Sequence, residues 1–211
     1  MLKVMNLNKQ FKNQEVLKDV SLHVDRGSIC GIVGNNGSGK TVLFKCILGL
    51  YHADSGEIYI DGTLRKRKDD VYKEAAALIE SPAFLSECTG LKNLEYLYEL
   101  NHKKNKPYLK EIMLRVGLDG DSRKKVKNYS LGMKQRLAIG QVLMEDKDFI
   151  ILDEPMNGLD RNGVKEMRSI FLDLKQQGKT ILLASHIRED IELLCDTVYQ
   201  MDGGRITTQN N

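Results

Sequence analysis

The sequence has little of what marks a secreted or membrane-spanning protein. Its four cysteines form no C-x-x-C pair and have no histidine at metal-ligand spacing, which argues against a zinc site or a disulfide framework and fits a reducing cytosol. No stretch approaches the ~18 apolar residues that a membrane span needs, and the amino terminus lacks an apolar signal core. We therefore expect a protein that is soluble by itself.

An excess of charge of one sign is also missing. Lysine and arginine number 32 against 29 aspartates and glutamates, a net charge of +3, so no large basic field predicts nucleic acid as the main ligand. The densest basic run, at residues 65–68, is followed at once by two aspartates, and we expect a solvated turn there. With 211 residues, the chain can bury one full core and has room for an inserted subdomain.

The most informative stretch begins at Gly34 and fits the phosphate-binding pattern G-x-x-x-x-G-K-[ST]. Its glycines let the backbone curl until successive N–H groups point at an anion, Lys40 can reach the terminal phosphates, and the Thr41 hydroxyl can ligate Mg²⁺. An apolar strand precedes the loop and a helix follows it, so an accidental turn is a poor explanation. The predicted triphosphate site consists of Gly34, Asn35, Asn36, Gly37, Ser38, Gly39, Lys40 and Thr41.

Apolar strands alternate with helices in the second part of the chain. Residues 149–152 are consecutively apolar, as in a parallel strand buried on both faces. A helical pattern at 161–177 leads to a second buried strand at 180–184, and a third strand follows at 197–201. This alternation predicts the α/β class, with a parallel sheet covered on both sides.

The rest of the chain has a different pattern. Residues 2–11 and 16–25 nearly alternate apolar with polar side chains and predict two half-buried strands, whereas residues 75–80 are apolar enough for a central strand that Ser81 and Pro82 terminate. Helical periodicity then dominates. We predict a nucleotide-binding core of residues 1–81 and 146–211, interrupted by a helical subdomain at 82–145.

Within this insertion, two helical faces are apolar. Leu91, Leu94 and Leu97 lie on the first, and the second runs from Leu109 to Val116. Pro107 is suited to the start of the second helix and a glycine at 117 to its end.

Two acids follow the buried strand at 149–152. Asp153 is well placed to bind Mg²⁺ directly or through water, and Glu154 can polarise the water that attacks a γ-phosphate. Two adjacent acids usually mark only a polar turn. With a phosphate loop on the same sheet, however, a catalytic pair explains them better, because ligands bind at the carboxyl ends of parallel strands.

One aromatic residue has two interpretations. Phe11 stands just before the short loop at 12–14. Its ring can stack on a purine or simply pack against neighbouring strands, and spacing alone does not decide between these roles.

Taken in order, these motifs resemble the ATP-binding subunit of ABC transporters, almost from end to end. Gly34–Thr41 matches that family's Walker A motif, and Phe149–Glu154 matches Walker B with its catalytic glutamate. Asn157–Asp160 resembles the D-loop, His186 the switch histidine and Phe11 the adenine-stacking aromatic. The resemblance implies a P-loop NTPase core with a mostly parallel sheet, an N-terminal antiparallel β subdomain and an inserted α-helical subdomain.

Two positions depart from the family pattern. In the signature segment, Ser130 and Gly132 are kept, but Leu131 and Met133 replace a glycine and the glutamine, which leaves the contact with a partner's γ-phosphate to Ser130 and backbone N–H groups. Glu80 stands where the family usually has the Q-loop glutamine. From local sequence it is a solvated acid; by resemblance it contacts Mg²⁺ and nucleotide. Both departures resemble the exporters of bacteriocins, lantibiotics and peptide antibiotics.

The resemblance implies an ATPase that uses ATP and Mg²⁺. It implies a head-to-tail homodimer or heterodimer with ATP at the interface, and a separate membrane permease that docks near Glu80 and holds the subunit at the inner face of the cell membrane. No nucleic acid is expected. A soluble ABC ATPase that acts on DNA or ribosomes would carry a coiled-coil insertion or a second cassette, and a metabolic P-loop kinase would lack the segment 130–136.

Overall fold

A computed structural model describes residues 1–65, 71–80 and 83–209. The turn expected after residue 65 and the strand stop expected at 81–82 lie outside these ranges. The elements, in chain order, are β1 Leu2–Phe11, β2 Gln14–Val24, β3 Ile29–Val33, α1 Lys40–Ile47, β4 Ser55–Ile60, β5 Thr63–Leu64, β6 Ala75–Leu78, α2 Gly90–Tyr98, α3 Lys106–Arg115, a 3₁₀ turn Val126–Asn128, α4 Leu131–Leu143, β7 Phe149–Asp153, α5 Arg161–Gln176, β8 Thr180–Ser185, α6 Arg188–Leu194, β9 Thr197–Asp202 and β10 Arg205–Gln209.

A six-stranded sheet forms the centre, in the order β10-β9-β3-β8-β7-β6. Neighbours from β9 to β6 pair in parallel, and β10 joins the edge antiparallel to β9. Strand β8 is buried along its whole length, as expected for its four consecutive apolar residues at 181–184. The predicted α/β class and parallel sheet are confirmed. The phosphate loop follows β3 and the two acids lie at the end of β7, so both are at the carboxyl ends of the parallel strands.

Strand β6 corrects one prediction. It ends at Leu78, not at residue 80, and it pairs only with β7, so within the described sheet it is an edge strand and not a central one. Its alanine-rich sequence led to the wrong prediction of a central strand because an apolar run indicates only that the two faces of a strand are covered. It does not report whether both hydrogen-bonding edges are paired.

The amino-terminal strands form a second sheet, which is antiparallel and ordered β2-β1-β4-β5. Helix α1 packs between this sheet and one face of the central sheet, where Leu43, Phe44 and Ile47 are buried. The phosphate loop at the start of α1 is therefore held from both sides.

Helices α2, α3 and α4 cover the other face, and the predicted apolar faces are confirmed. Leu94, Leu109 and Met113 are buried together with side chains of β6 and β7. Pro107 lies in the first turn of α3, and Gly117 follows its end with φ +73°. The helices thus share a core with the sheet; the subdomain boundaries at 82 and 145 stay a prediction.

Candidate nucleotide-binding site

The phosphate loop connects β3 to α1 in a conformation that depends on glycine. A side chain at Gly34 would place its Cβ 2.3 Å from the carbonyl oxygen of Met201, which leaves no room for one. Gly39 has φ +113° and is the N-cap of α1. The loop therefore leads directly into the N-terminus of α1, which adds partial positive charge there.

Lys40 is the cation of this loop. Its side chain is only 6% exposed, and its Nζ donates hydrogen bonds to the carbonyl oxygens of Gly34 at 2.5 Å and Asn35 at 3.2 Å. The same Nζ lies 3.9 Å from Oε1 of Glu154. The ammonium group is thus held at the site by the loop itself.

Two buried polar atoms near Lys40 have no hydrogen-bond partner among the described residues: Oγ of Ser38 and Oε1 of Glu154. Both side chains line a cavity of about 410 Å³. Buried polar atoms are rarely left unpaired unless a ligand or water completes them. The Ser38 hydroxyl can donate a hydrogen bond to a phosphate oxygen, and the Glu154 carboxylate can accept one from a water molecule. The cavity therefore fits a phosphate-bearing ligand together with water.

Thr41 and Asp153 meet at the floor of the cavity, where the Thr41 hydroxyl donates a hydrogen bond of 2.5 Å to Oδ2 of Asp153. Burial raises the pKa of Asp153, and Glu154 raises it further, while the Thr41 bond and Lys40 act in the opposite direction. A hydroxyl and a buried carboxylate are oxygen ligands of the kind Mg²⁺ takes. These residues fit the ion as predicted.

No cluster of three or more His, Cys, Asp and Glu side chains suited to a metal occurs in the described ranges. Mg²⁺ does not require one, since it is usually held by one or two carboxylates together with substrate phosphates.

Glu154 is brought next to His186. Its Oε2 lies 2.7 Å from Nδ1 of His186, whose backbone N–H also points at the same oxygen at 3.4 Å. Glu154 has φ +50°, an uncommon conformation for a non-glycine residue and one that concentrates at functional sites. The remaining oxygen, Oε1, is buried, accepts no hydrogen bond from the described residues and lies 3.9 Å from Nζ of Lys40.

The loop that carries His186 is fixed by an ion pair that sequence analysis did not find. Asp190 is fully buried on α6, and Nη2 of Arg168 on α5 lies 2.6 Å from its carboxylate. Ser185 approaches the same carboxylate at 3.4 Å and accepts a hydrogen bond from the backbone N–H of Ile187. Only the i, i+5 spacing of Ser185 and Asp190 was visible in the sequence, and that is not a recognisable signal.

Glu80 lines the same cavity but makes a contact that the sequence did not predict. Its Oε1 accepts a hydrogen bond of 2.7 Å from Nζ of Lys45 on α1, and its side chain is 65% exposed. Like Glu154, it has a positive φ, of +62°. Glu80 is thus mostly exposed to solvent and also lines the cavity of the phosphate loop.

The signature residues lie outside the described lining of the cavity. Oγ of Ser130 accepts a hydrogen bond from the N–H of Met133 and caps α4, and Asp160 caps α5 in the same way through Gly163. Ser130, Gly132 and Asp160 are not among the described residues that line the cavity. In the described chain, Ser130 therefore caps a helix and does not line the cavity that holds the phosphate loop.

Leu131, the first departure from the signature pattern, packs against the D-loop. Its side chain is 67% exposed, and a Cβ added at Gly158 would lie 2.5 Å from its Cγ. The substituted signature position is thus in contact with the motif that follows Walker B.

Phe11 ends β1 beside the cavity without lining it. Its exposed ring packs edge-to-face against Tyr51, with 5.3 Å between the ring centroids, and Nζ of Lys9 lies 5.1 Å from its centroid. The stacking role stays a prediction. Sequence analysis did not find Gln14 and Val16, which line the cavity but belong to no phosphate motif. Gln135 and Asn157 line it too, and they lie in the segments that resemble the signature and the D-loop.

None of the helices in the described part of the chain is long and apolar enough to cross a membrane.

Comparison with known proteins agrees with this geometry. The chain is 38% identical to the bacitracin transport ATP-binding protein BcrA of Enterococcus faecalis, over 98% of this chain and 68% of that protein. It is 33% identical to the lantibiotic transport ATP-binding protein SrtF of Streptococcus pyogenes, over 98% of this chain and 89% of SrtF.

Solved structures share the fold. The ATP-binding subunit of an ABC transporter is 28% identical and superposes with a TM-score of 0.87, covering 100% of this chain and 90% of that one. A dimeric ATP-binding cassette in a post-hydrolysis state with ADP and Pi, 21% identical, has a TM-score of 0.88 with both chains fully covered. The family model described as ABC transporter matches residues 17–157. The chain therefore belongs to the ABC transporter family and is one of its ATP-binding subunits.

Proposed function

We propose that this subunit hydrolyses Mg²⁺-bound ATP to power a separate membrane permease that exports a peptide antibiotic. The observation that carries the catalytic part is the position of the Glu154 carboxylate, between Nζ of Lys40 and Nδ1 of His186 at the edge of the cavity. The antibiotic class is supported by the bacitracin and lantibiotic transport functions in the names of the relatives.

Different residues of the chain have different roles in the proposed reaction. Lys40 and the loop N–H groups bind the phosphates, and Thr41 with Asp153 would hold Mg²⁺, which neutralises phosphate charge when bound. Oε1 of Glu154 accepts no hydrogen bond within the described chain and can orient the attacking water, while His186 holds the other carboxylate oxygen.

A head-to-tail dimer completes the site. In the single chain, Ser130 lies at the N-terminus of α4, and helix N-termini favour anions. We propose that Ser130 of one subunit closes over the phosphates held by Lys40 of the other. The second subunit is either a copy of this chain or a related ATPase, and hydrolysis weakens the interface by separating charge.

We further propose that the permease docks beside Glu80 and the helices α2 to α4, and that Glu80 couples nucleotide binding to that contact. Glu80→Ala should then lower the substrate transported per ATP hydrolysed while nucleotide affinity stays nearly intact, and Glu80→Gln should have a milder effect. The measurement is ATPase activity and efflux together in the reconstituted complex. Normal transport per ATP in Glu80→Ala would make Glu80 merely a surface acid.

The transported class can be tested in a susceptible bacterial strain. The subunit is produced with the membrane protein encoded beside it, and resistance to bacitracin and to a lantibiotic is measured. We expect a several-fold higher inhibitory concentration for one of them, and no increase when Glu154→Gln replaces the wild type. If the pair co-purifies and hydrolyses ATP but protects against neither class, the antibiotic assignment is wrong while the ATPase assignment stands.

A further inference from the structure

Lys45 is a cation next to the nucleotide site to which the motifs assign no role. It lies on α1, one turn after Thr41, and its Nζ is 2.7 Å from Oε1 of Glu80. The Lys45 side chain is only 17% exposed, whereas that of Glu80 is largely in solvent. The lysine is therefore the fixed member of the pair and the carboxylate is the member that it holds.

The ring of Tyr51 is a second neighbour of the Lys45 ammonium. Its Nζ lies 5.3 Å from the centroid of Tyr51, the backbone N–H of Tyr51 donates to the carbonyl oxygen of Lys45 at 3.1 Å, and Tyr51 packs against Phe11. The hydrogen bond to Glu80 raises the pKa of Lys45, so the ammonium stays charged. These contacts give Lys45 a defined place, although it is not among the described residues that line the cavity.

The Glu80 carboxylate belongs to the nucleotide cavity. Glu80 lines this cavity together with Asp153 and Glu154. A third carboxylate at this place would repel a triphosphate, most strongly when no divalent cation is present. An amide at the same position would carry no charge. A glutamate here therefore requires a compensating cation if the site is to bind ATP.

We propose that Lys45 is a positioning residue of the nucleotide site: it holds the Glu80 carboxylate against α1 and neutralises it, so that the site accepts ATP despite the glutamate. The inference rests on ATP binding at the phosphate loop and is independent of the transported molecule. It predicts that the contribution of Lys45 to nucleotide affinity exists only when residue 80 is charged.

A double-mutant cycle on the full chain tests this. The affinity for ATP is measured in EDTA and in Mg²⁺ for the wild type, Lys45→Met, Glu80→Gln and the double variant. In EDTA, we expect Lys45→Met to weaken binding about five- to tenfold, within the range shown by coupled neighbours, and the double variant to bind within about twofold of Glu80→Gln. In Mg²⁺, the Lys45→Met defect should be smaller because the cation offsets the same charge.

Lys147→Met is the matched control. Lys147 also pairs with a glutamate, Glu74 at 3.1 Å. It precedes the amino end of β7, whereas the phosphate loop and the two acids lie at the carboxyl ends of the strands, so its loss should leave ATP affinity unchanged. Lys45→Gln repeats the test with less disturbance of packing, since the amide can still donate to Glu80 but carries no charge.

Two results would overturn the proposal. If Lys45→Met lowers affinity by the same factor with Glu80 and with Glu80→Gln, Lys45 acts independently of the carboxylate. If Lys45→Gln binds ATP in EDTA as tightly as the wild type, neutralisation of Glu80 is not its role. Failure of the wild type itself to bind ATP would instead overturn the assignment of the phosphate loop.

Discussion

The Nδ1 atom of His186 lies 2.7 Å from Oε2 of Glu154, although 31 residues separate them in the chain. The two side chains follow neighbouring parallel strands, β8 and β7, and the backbone N–H of Glu154 donates to the carbonyl oxygen of Ala184 at 2.9 Å. The pair is therefore fixed by the sheet. The other oxygen of Glu154 accepts no hydrogen bond from the described residues, and Glu154 lines the same cavity as Lys40 and Thr41.

Glu154→Gln should stop turnover while ATP binding persists, because the amide keeps the shape of the side chain but is too weak a base to orient and deprotonate water. We expect kcat to fall about 10²- to 10⁴-fold. The ATP-bound dimer should then accumulate, and size-exclusion chromatography with ATP and Mg²⁺ detects it. A variant that stays monomeric and hydrolyses ATP normally would show that another group is the base.

His186→Ala should lower kcat by a smaller factor than Glu154→Gln, since the carboxylate remains but loses the group that holds it. His186→Gln, which can still donate a hydrogen bond to Glu154, should recover part of the rate. Steady-state ATPase assays of the three variants decide this. Equal loss in His186→Ala and His186→Gln would mean that the imidazole acts directly on substrate and not through Glu154.

Lys40→Ala should abolish tight ATP binding because a buried triphosphate loses its dedicated cation, and charge-assisted hydrogen bonds contribute about 1.5 to 3 kcal/mol each. Calorimetry measures the dissociation constant, with Lys147→Ala as the control for loss of a lysine elsewhere. An unchanged dissociation constant would remove the phosphate-loop assignment.

Asp153→Asn should stabilise the nucleotide-free protein while removing its response to Mg²⁺. The pKa of Asp153 is raised above its ordinary value of 3.8, mainly by burial, so the ionised form destabilises the fold. That effect is absent at low pH, where the acid is protonated, and it is complete once the pH exceeds the raised pKa. Thermal unfolding at pH 7 should therefore occur a few degrees higher in the variant, and the difference should shrink towards pH 4.

Asp202→Asn, at the exposed end of β9, is the control for this pH series and should show no such trend. If the Asp153→Asn variant is less stable than the wild type at pH 7, the hydrogen bond from Thr41 outweighs the burial of the charge.

Gly158→Ala should destabilise the protein by about 1 kcal/mol or more, since Gly158 has φ +78° and its new Cβ would collide with Leu131. Leu131→Gly, which brings back the family's usual glycine, removes the collision but not the backbone strain. The double variant should therefore recover only part of the loss, as measured by denaturant unfolding. Additive effects of the two changes would show that Leu131 and the D-loop are not coupled.

Local sequence alone determined the phosphate loop, the buried strand that ends in Asp153 and the apolar faces of α2 and α3. Each depends on interactions within one short segment: glycine conformations, the N–H groups at a helix start and the period of apolar side chains. The structure confirms these elements because nothing distant in the chain has to be known to form them.

Tertiary structure alone decided the edge position of β6, the Lys45–Glu80 pair, the Arg168–Asp190 pair behind His186 and the contact of Leu131 with Gly158. All four depend on which segments meet in space. Apolar composition shows that a surface is covered but not by what, and a charged side chain shows that a partner is possible but not which one. The sequence offered Glu80 as a solvated acid or, by resemblance, as a contact of Mg²⁺ and nucleotide, and only the packing of α1 beside it shows that Lys45 donates a hydrogen bond to it.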